Sequence, residues 1–286
     1  MSLAAPTPAV RVTAAIPCYN GARWIHATVR SLWHQTRPPD EVLVIDDGSS
    51  DASADLAAAA GARVVRHAVN RGLAVGRNTA LVAAAGDIVV FIDVDATADP
   101  RLVETLLAGF SASDIAGVGG GGIEAHRETL ADEWRARHAR QWFGPRPLES
   151  APFLFGLCAA YRRAALLRVG GFNTALRTNA EDVEMGLRLR AAGYRLVYTP
   201  AALVYHQRAD SVESLVKTME RWYYWAAVVR RGHGDQPWRL YGGALRGLTT
   251  QPLRDVADGR FDLLALDARI AWVKARAVTR GWLERK

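Results

Sequence analysis

Cysteine is nearly absent from this chain of 286 residues: there are two, Cys18 and Cys158, far apart and in apolar surroundings. They match no metal-ligand spacing and build no disulfide framework, so the expectation is buried free thiols in a reducing compartment. Long apolar runs are missing as well. No uninterrupted stretch approaches the ~18 residues that suggest a membrane span, and the start of the chain has no basic region followed by an apolar one. The expected setting is cytoplasmic, at most peripheral on the cytoplasmic face of a membrane. A strong charge of one sign is also lacking over most of the length. Residues 1–207 hold 21 Lys and Arg against 20 Asp and Glu, whereas residues 208–286 hold 15 against 9, which places most of the net +7 in the last quarter. No nucleic-acid motif accompanies that charge, so nucleic acid is not an expected partner. An anionic lipid surface, a phosphate-bearing acceptor or an acidic partner fits it better.

What the chain does have is apolar residues, half of its composition, enough for one large core or a core with an appendage and no case for disorder. The first half alternates strand and helix patterns: strands at 10–16, 41–45, 63–66 and 88–92, helices at 23–35, 51–60 and 74–85. Strands separated by helices of this length imply parallel pairing with right-handed crossovers. The polar residues collect in the turns after the strands, where open α/β sheets bind ligands.

The most pointed of these turns ends the apolar run Ile88-Val89-Val90-Phe91-Ile92 with Asp93-Val94-Asp95. A strand alternates its side chains, so Asp93 and Asp95 project to the same side at its carboxyl end. Hard cations such as Mg²⁺ and Mn²⁺ take oxygen ligands and are commonly held by one or two carboxylates plus substrate phosphates. Solvated acids closing a strand are the other reading of the pair taken alone. Asp46-Asp47-Gly48-Ser49 likewise ends a strand and precedes a helix; its carboxylates either accept hydrogen bonds from a nucleoside or cap the helix. Asn70-Arg71-Gly72 and Arg77-Asn78 add donors near the same edge, Arg being suited to phosphate.

Together, Ile16-Pro17-Cys18-Tyr19-Asn20, Val44-Ile45-Asp46-Asp47-Gly48-Ser49-Ser50-Asp51, Asn70-Arg71-Gly72, Arg77-Asn78 and Asp93-Val94-Asp95 resemble the nucleotide-binding half of a family 2 glycosyltransferase of the GT-A fold. The resemblance implies an α/β, Rossmann-like, mostly parallel sheet with flanking helices. It implies a nucleotide site drawn from Pro17, Tyr19, Asn20, Asp46, Asp47, Asn70, Gly72, Arg77, Asn78 and Asp93, with Pro17 and Tyr19 on the base and Asp47 on the nucleoside. It implies Mn²⁺ or Mg²⁺ on Asp95 with Asp93, and it makes His206, which ends the predicted strand 201–206, a third metal ligand or a diphosphate contact. After the turn Gly170-Gly171-Phe172, the acids opening the helix that contains Asn179 to Arg190 correspond to the catalytic base, which falls on Asp182, with Glu181 toward the acceptor. Glu184 and Arg188, four apart, read as an ion pair on that helix.

The expected activity is metal-dependent, inverting transfer from a UDP, GDP or dTDP sugar to a saccharide or lipid-linked acceptor hydroxyl, in cell-envelope or extracellular saccharide assembly. A carboxylate in reach of a sugar hydroxyl can take its proton as the new bond forms. The alternatives are a sugar-nucleotide-binding or scaffolding protein without transfer activity, a nucleotidyltransferase, which would need a Gly-rich phosphate loop after the first strand, and an NAD(P)-binding oxidoreductase. The last draws on Gly117-Val118-Gly119-Gly120-Gly121-Gly122, which satisfies G-x-G-x-x-G before a helix-compatible stretch at 124–142. No second strand ending in a ribose-binding acid follows, so these glycines are expected instead at a flexible strand edge near the donor sugar.

The organisation expected is a catalytic domain over residues 1–207, its nucleotide half at about 8–110 and acceptor half at 111–207, followed by a basic, aromatic-rich helical extension over 208–286. Helices are expected at 212–231, with Trp222, Tyr223, Tyr224 and Trp225, and at 263–282. In the latter Leu263, Leu266, Ile270, Val273 and Ala277 share one face, and Asp267, Lys274 and Arg280 are placed on the other. Such helices lie in a membrane interface, or pack on the catalytic body or in a homodimer.

Overall fold

The computed structural model describes residues 10–176, 178–236 and 238–284; the start of the expected catalytic domain, through residue 9, lies outside them. The first half runs β1 (Val12–Cys18), α1 (Ile25–Trp33), β2 (Glu41–Asp46), α2 (Ser53–Ala59), β3 (Arg63–Arg66), α3 (Leu73–Ala83), β4 (Ile88–Ile92), β5 (Ala96–Ala98) and α4 (Leu102–Ala108). The second half adds β6 (Ile115–Glu124), α5 (Leu130–His138), β7 (Cys158–Arg162), α6 (Arg163–Arg168), α7 (Glu181–Ala191) and β8 (Arg195–His206). Four α-helices follow: α8 (Val212–Gly232), α9 (Trp238–Leu248), α10 (Thr250–Ala257) and α11 (Leu264–Leu283).

The strands form one sheet in the order β3-β2-β1-β4-β7-β6-β8-β5. Parallel pairing joins β1 to β2 and β4, β2 to β3, and β6 to β8, while β7 is antiparallel to both neighbours and β5 is antiparallel to β8. The sheet is therefore mixed, and β7 is the strand that reverses it. Val42 to Ile45 and Ile88 to Ile92 are buried on both faces, as unbroken apolar runs in a covered sheet should be. One face packs Ile25, Val29, Leu32, Leu102 and Leu106 against the strands; the other packs Ala74, Leu81, Leu166, Met185 and Leu189. Each large aliphatic side chain fully buried this way contributes ~1.5–3 kcal/mol.

Two expectations change here. The glycine run is neither a phosphate-binding turn nor a sheet edge: it lies inside β6, between β7 and β8. Gly120 lies so close to the Ala202 carbonyl that a β-carbon would collide with it. The helix expected over 124–142 is shorter, because β6 runs through Glu124 and α5 starts after Thr129, whose side chain accepts from Asp132 N in a capping box. Ahead of β7, Phe153 and Phe155 pack with Phe143 at ring-centroid separations of 4.6–5.2 Å.

The pair β6 and β8 is irregular. Gly119 faces Tyr198, but Gly121 faces Leu203, after which Gly122, Ile123 and Glu124 align with Val204, Tyr205 and His206. The segment Thr199–Ala202 bulges around Gly120. Beyond the sheet, α5, α8 and α11 enclose a further cluster built on Trp134, Leu215, Met219, Leu263 and Ile270. On α11 the expected outer face is overturned: Asp267 and Lys274 are 0% and 2% exposed, since α5 covers that flank as well.

Candidate active site

Because β1, β2 and β4 are parallel, their carboxyl ends gather at one edge of the sheet, and β7 begins at that edge with Cys158 opposite Ile92. Asp93 follows β4 there, and His206 ends β8 opposite Ala96 and Glu124. Asp93, Asp95, His206, Glu181 and Asp182 line one cavity of about 630 Å³, closed on its far side by α8 and α9.

Asp95 and His206 form its most ordered pair. His206 Nε2 stands 3.4 Å from an Asp95 oxygen, and Nδ1 stands 2.7 Å from Glu124 Oε2. Burial disfavours charge on the imidazole, but the bonds to Asp95 and Glu124 outweigh it and raise the His206 pKa to about 10. Burial also pushes Asp95 upward, and His206 more than offsets this, holding the carboxyl below its usual range. Glu124 went unmarked in the sequence. It ends a glycine-rich strand with no periodicity of its own, and only its register with His206 gives it a place. This geometry fits a divalent cation: a carboxylate oxygen and an imidazole nitrogen at the separation of two ligands of one ion, with Glu124 orienting the ring from its other nitrogen.

Asp93 is tied differently. Arg77, 2% exposed, donates to Asp93 at 3.3 Å and to Glu181 at 2.5 Å, with its guanidinium carbon 5.6 Å from the ring centroids of both Phe91 and Phe172. Gly156 leaves the room this guanidinium occupies. Withdrawal from bulk water raises the Asp93 pKa, and Asp95 adds to the rise against the pull of Arg77. Glu181 is buried with Oε2 lacking a hydrogen-bond partner among the described residues, and burial lifts it to about 7 despite Arg77. Arg77 and Glu181, expected on a nucleotide and on an acceptor, both line the cavity and are paired with each other there.

Asp182 follows Glu181 in the first turn of α7, whose N-cap Ala180 adopts φ 65°. Its Oδ2 accepts from Gly156 N at 3.2 Å and its Oδ1 from Val183 N at 2.8 Å, and burial raises its pKa. A partly buried carboxylate with a raised pKa at a cavity wall has the character of a general base. Glu184 and Arg188 form the anticipated four-residue pair at 2.6 Å, with Arg188 also donating to the Val169 and Gly171 carbonyls.

The remaining expected nucleotide residues sit at the ends of β1 and β2, in the loop before α3 and on α3, and several have other work. Asp47 accepts from Arg71 N on both oxygens, from Gly72 N at 2.7 Å, and meets His67 Nδ1 at 2.6 Å. It pins the Asn70-Arg71-Gly72 loop rather than presenting free lone pairs to a nucleoside. His67 backs it in turn through Thr79. Asp46 is buried between Ser49 N and Arg66. Both polar atoms of the Asn78 amide are held by the Phe172 backbone, which fixes the Gly170-Gly171-Phe172 turn. Asn20, at φ 51°, accepts from Ser50 N, while Tyr19 stands 51% exposed, Pro17 is half-buried and Asn70 is exposed.

Among the described residues, a second group that could hold a cation comprises His138, Asp255 and Asp267, whose donor atoms lie within 4.8 Å of one another. None of the three lines the cavity. Their charges are met internally: His138 Nε2 is 2.6 Å from Asp255, Arg137 donates to Asp255 at 2.7 Å, and Trp134 donates to Asp267 at 2.8 Å. The group ties α5, α10 and α11 together.

The sheet order, the reversing strand and the acids at its carboxyl edge define the class: this is a GT-A fold. Its solved likenesses include a mannosyltransferase from Pyrobaculum calidifontis in complex with GDP-Man and Mn²⁺, at 20% identity and a TM-score of 0.69 over 99% of this chain and 90% of that one. S. aureus TarS in complex with UDP matches at 17% identity and a TM-score of 0.55, over 95% and 90%. The model of glycosyl transferase family 2 matches residues 13–170, and the chain belongs to that family. The pre-mycofactocin glycosyltransferase of Mycobacterium tuberculosis is 30% identical over 82% of this chain and 51% of its own length. An O-antigen chain rhamnosyltransferase of Salmonella anatum is 29% identical over 81% and 76%. The chain spans about half the length of the first curated relatives it matches.

Proposed function

We propose that this protein transfers a sugar from a nucleoside-diphosphate sugar, with a UDP, GDP or dTDP leaving group, to an acceptor hydroxyl with inversion, in the assembly of an envelope or extracellular saccharide. The observation that carries the reading is the sharing of one cavity by Asp95, His206, Asp93 and Asp182. Asp95 and His206, with Asp93 beside them, would hold Mn²⁺ or Mg²⁺. Such an ion supplies Lewis-acid stabilisation of the departing diphosphate. Asp182 takes the proton of the acceptor hydroxyl while that oxygen attacks the anomeric carbon from the side opposite the leaving group, so one displacement inverts the centre. The ends of β1 and β2, with Pro17, Tyr19 and the loop held by Asp47, would receive the nucleoside.

Residues 208–286 form, in this proposal, an extension that completes the acceptor side and rests on an anionic membrane surface. Trp238, Leu245, Leu248, Leu253, Phe261 and Trp272 are exposed on α9 to α11 and their connections, interspersed with Arg254, Arg260, Arg269 and Arg276. Among the described residues no helix is long and apolar enough to cross a membrane. A homodimer built on the same apolar residues is the competing use of this surface.

Calorimetric titration with UDP, GDP and dTDP, each with and without Mn²⁺, tests the central reading. Metal-dependent binding of one nucleotide, lost in Asp95→Ala, is the expected result. Binding of none of them would overturn the donor assignment.

A further inference from the structure

The cavity is polarised. Its carboxylates, Asp93, Asp95, Glu181 and Asp182, belong to the β4 end, the turn after it and α7, whereas the wall contributed by α8 and α9 carries arginines and, among the described residues, no carboxylate. Arg135 and Arg208 reach in from beside that wall and share one buried acid: Asp210 meets Arg135 at 2.5 Å and Arg208 at 3.1 Å. One carboxylate between two guanidiniums leaves a positive excess. Arg230 is neutralised by Asp235 at 2.8 Å. Arg221 on α8 and Arg246 on α9 have no carboxylate within ion-pair range among the described residues, and both line the cavity. For Arg221 the surroundings are burial and the like charge of Arg208, which lower its pKa.

Unpaired surface arginines are ordinary; two of them on the concave wall of a catalytic cavity, beside a further uncompensated charge, are not. The fork of a guanidinium matches two oxygens of a phosphate, and two guanidiniums can share its remaining oxygens. Trp222 and Tyr223 line the same wall and give it apolar area beside the arginines. We infer that the α8–α9 wall is an anion subsite, formed by Arg221 and Arg246, that binds a phosphate group carried by the acceptor. The word acceptor rests on the proposed transfer reaction; the phosphate subsite itself does not. A phosphate there gives the acceptor a fixed anchor, so that its hydroxyl is presented to the acidic side of the cavity by a group that takes no part in the displacement.

The test is calorimetry on the full chain with Mn²⁺, using matched probes: glucose 6-phosphate against glucose, and octyl phosphate against octyl glucoside. The expected result is that at least one phosphate probe binds ~10-fold or more tightly than its uncharged partner, ~1.4 kcal/mol. In the double variant R221Q/R246Q that preference falls to about 2-fold or less, and R221K/R246K retains most of it, with unchanged circular dichroism in both. A preference for glucose 6-phosphate assigns the site to soluble phosphates, and a preference for octyl phosphate alone assigns it to a lipid headgroup. Three results overturn the inference: no preference in the wild type, a preference that survives R221Q/R246Q, or one abolished by a saturating nucleoside diphosphate, which would place the anion at the donor's own phosphates. Nucleotide titrations on the same preparation separate the two readings, since their failure removes the donor assignment while the phosphate preference is measured regardless.

Discussion

Arg77 and Glu181, more than a hundred positions apart in sequence, meet in a buried ion pair at 2.5 Å, and the same guanidinium reaches on to Asp93. One cation from α3 thereby holds the acid after β4 and the acid that opens α7 in a common frame. Removing one partner of a buried pair strands the other charge, at a cost of ~3–5 kcal/mol. Arg77→Met is therefore expected to lower the urea midpoint strongly, and Arg77→Met with Glu181→Met to recover part of the loss because Glu181 is no longer stranded. Equal destabilisation in the two would show that the pair has no such role.

Glu124 orients His206, and the consequence lies in metal affinity. Glu124→Ala removes the carboxylate on Nδ1 and is expected to weaken Mn²⁺ binding by ~10–100-fold while leaving the fold intact. Manganese paramagnetic resonance titration reads this directly, and unchanged affinity would exclude Glu124 from the site.

Asp182→Asn keeps the size of the side chain and abolishes its basicity. Loss of a general base predicts a fall in kcat of ~10²–10⁴-fold, with nucleotide affinity changed by no more than about 2-fold. If transfer persists, the base lies elsewhere; if nucleotide binding collapses as well, Asp182 supports the donor site.

The buried group around Asp267 predicts an unusual dependence of stability on pH. Asp267 is raised from 3.8 to about 6 by burial, with neighbouring Asp255 adding to the rise against Trp134 and Lys274. Lys274 is lowered from 10.5 to about 8, by burial first and then by Arg246, against Asp267. His138, also in this group, is lowered by burial. Between pH 3.8 and about 6 the folded protein retains a proton at Asp267 that the unfolded chain has lost, so stability falls as pH rises. Between about 8 and 10.5 the folded protein has released the Lys274 proton that the unfolded chain still holds, so stability rises. Each limb amounts to about 3 kcal/mol. Urea unfolding across pH should show the acid limb flattened in Asp267→Asn, which keeps an acceptor for Trp134; a wild-type profile in that variant would assign the limb to another group.

The sheet was legible where burial on both faces leaves an unbroken apolar run, as in Val42 to Ile45 and Ile88 to Ile92, and the acids that follow such runs marked the functional edge. Pairing direction after β4 was not: nothing in Cys158 to Arg162 announces that it runs antiparallel to both neighbours. Hydrogen-bond partners were also hidden. Asp47 and Asn78 carry the residue types of ligand contacts, but backbone amides brought close by the fold occupy them. Asp267 and Lys274 were misplaced because a single helical wheel knows one buried face, whereas α11 is covered from more than one side. Glu124 has no local signature at all, and its partner lies 82 residues away.

That partnership depends on parity. From Gly119 to Gly121 the strand β6 advances two residues while β8 advances from Tyr198 to Leu203, so β8 carries an odd number of extra residues before the register resumes. An odd surplus exchanges the two faces of the strand for everything downstream. With an uninterrupted ladder Glu124 would stand opposite Leu203, three residues short of His206, and the imidazole would not be presented to it. The bulge at Thr199–Ala202 therefore acts as a phase setter for the site, and a deletion or insertion there of one residue would be felt in the chemistry before it was felt in the core.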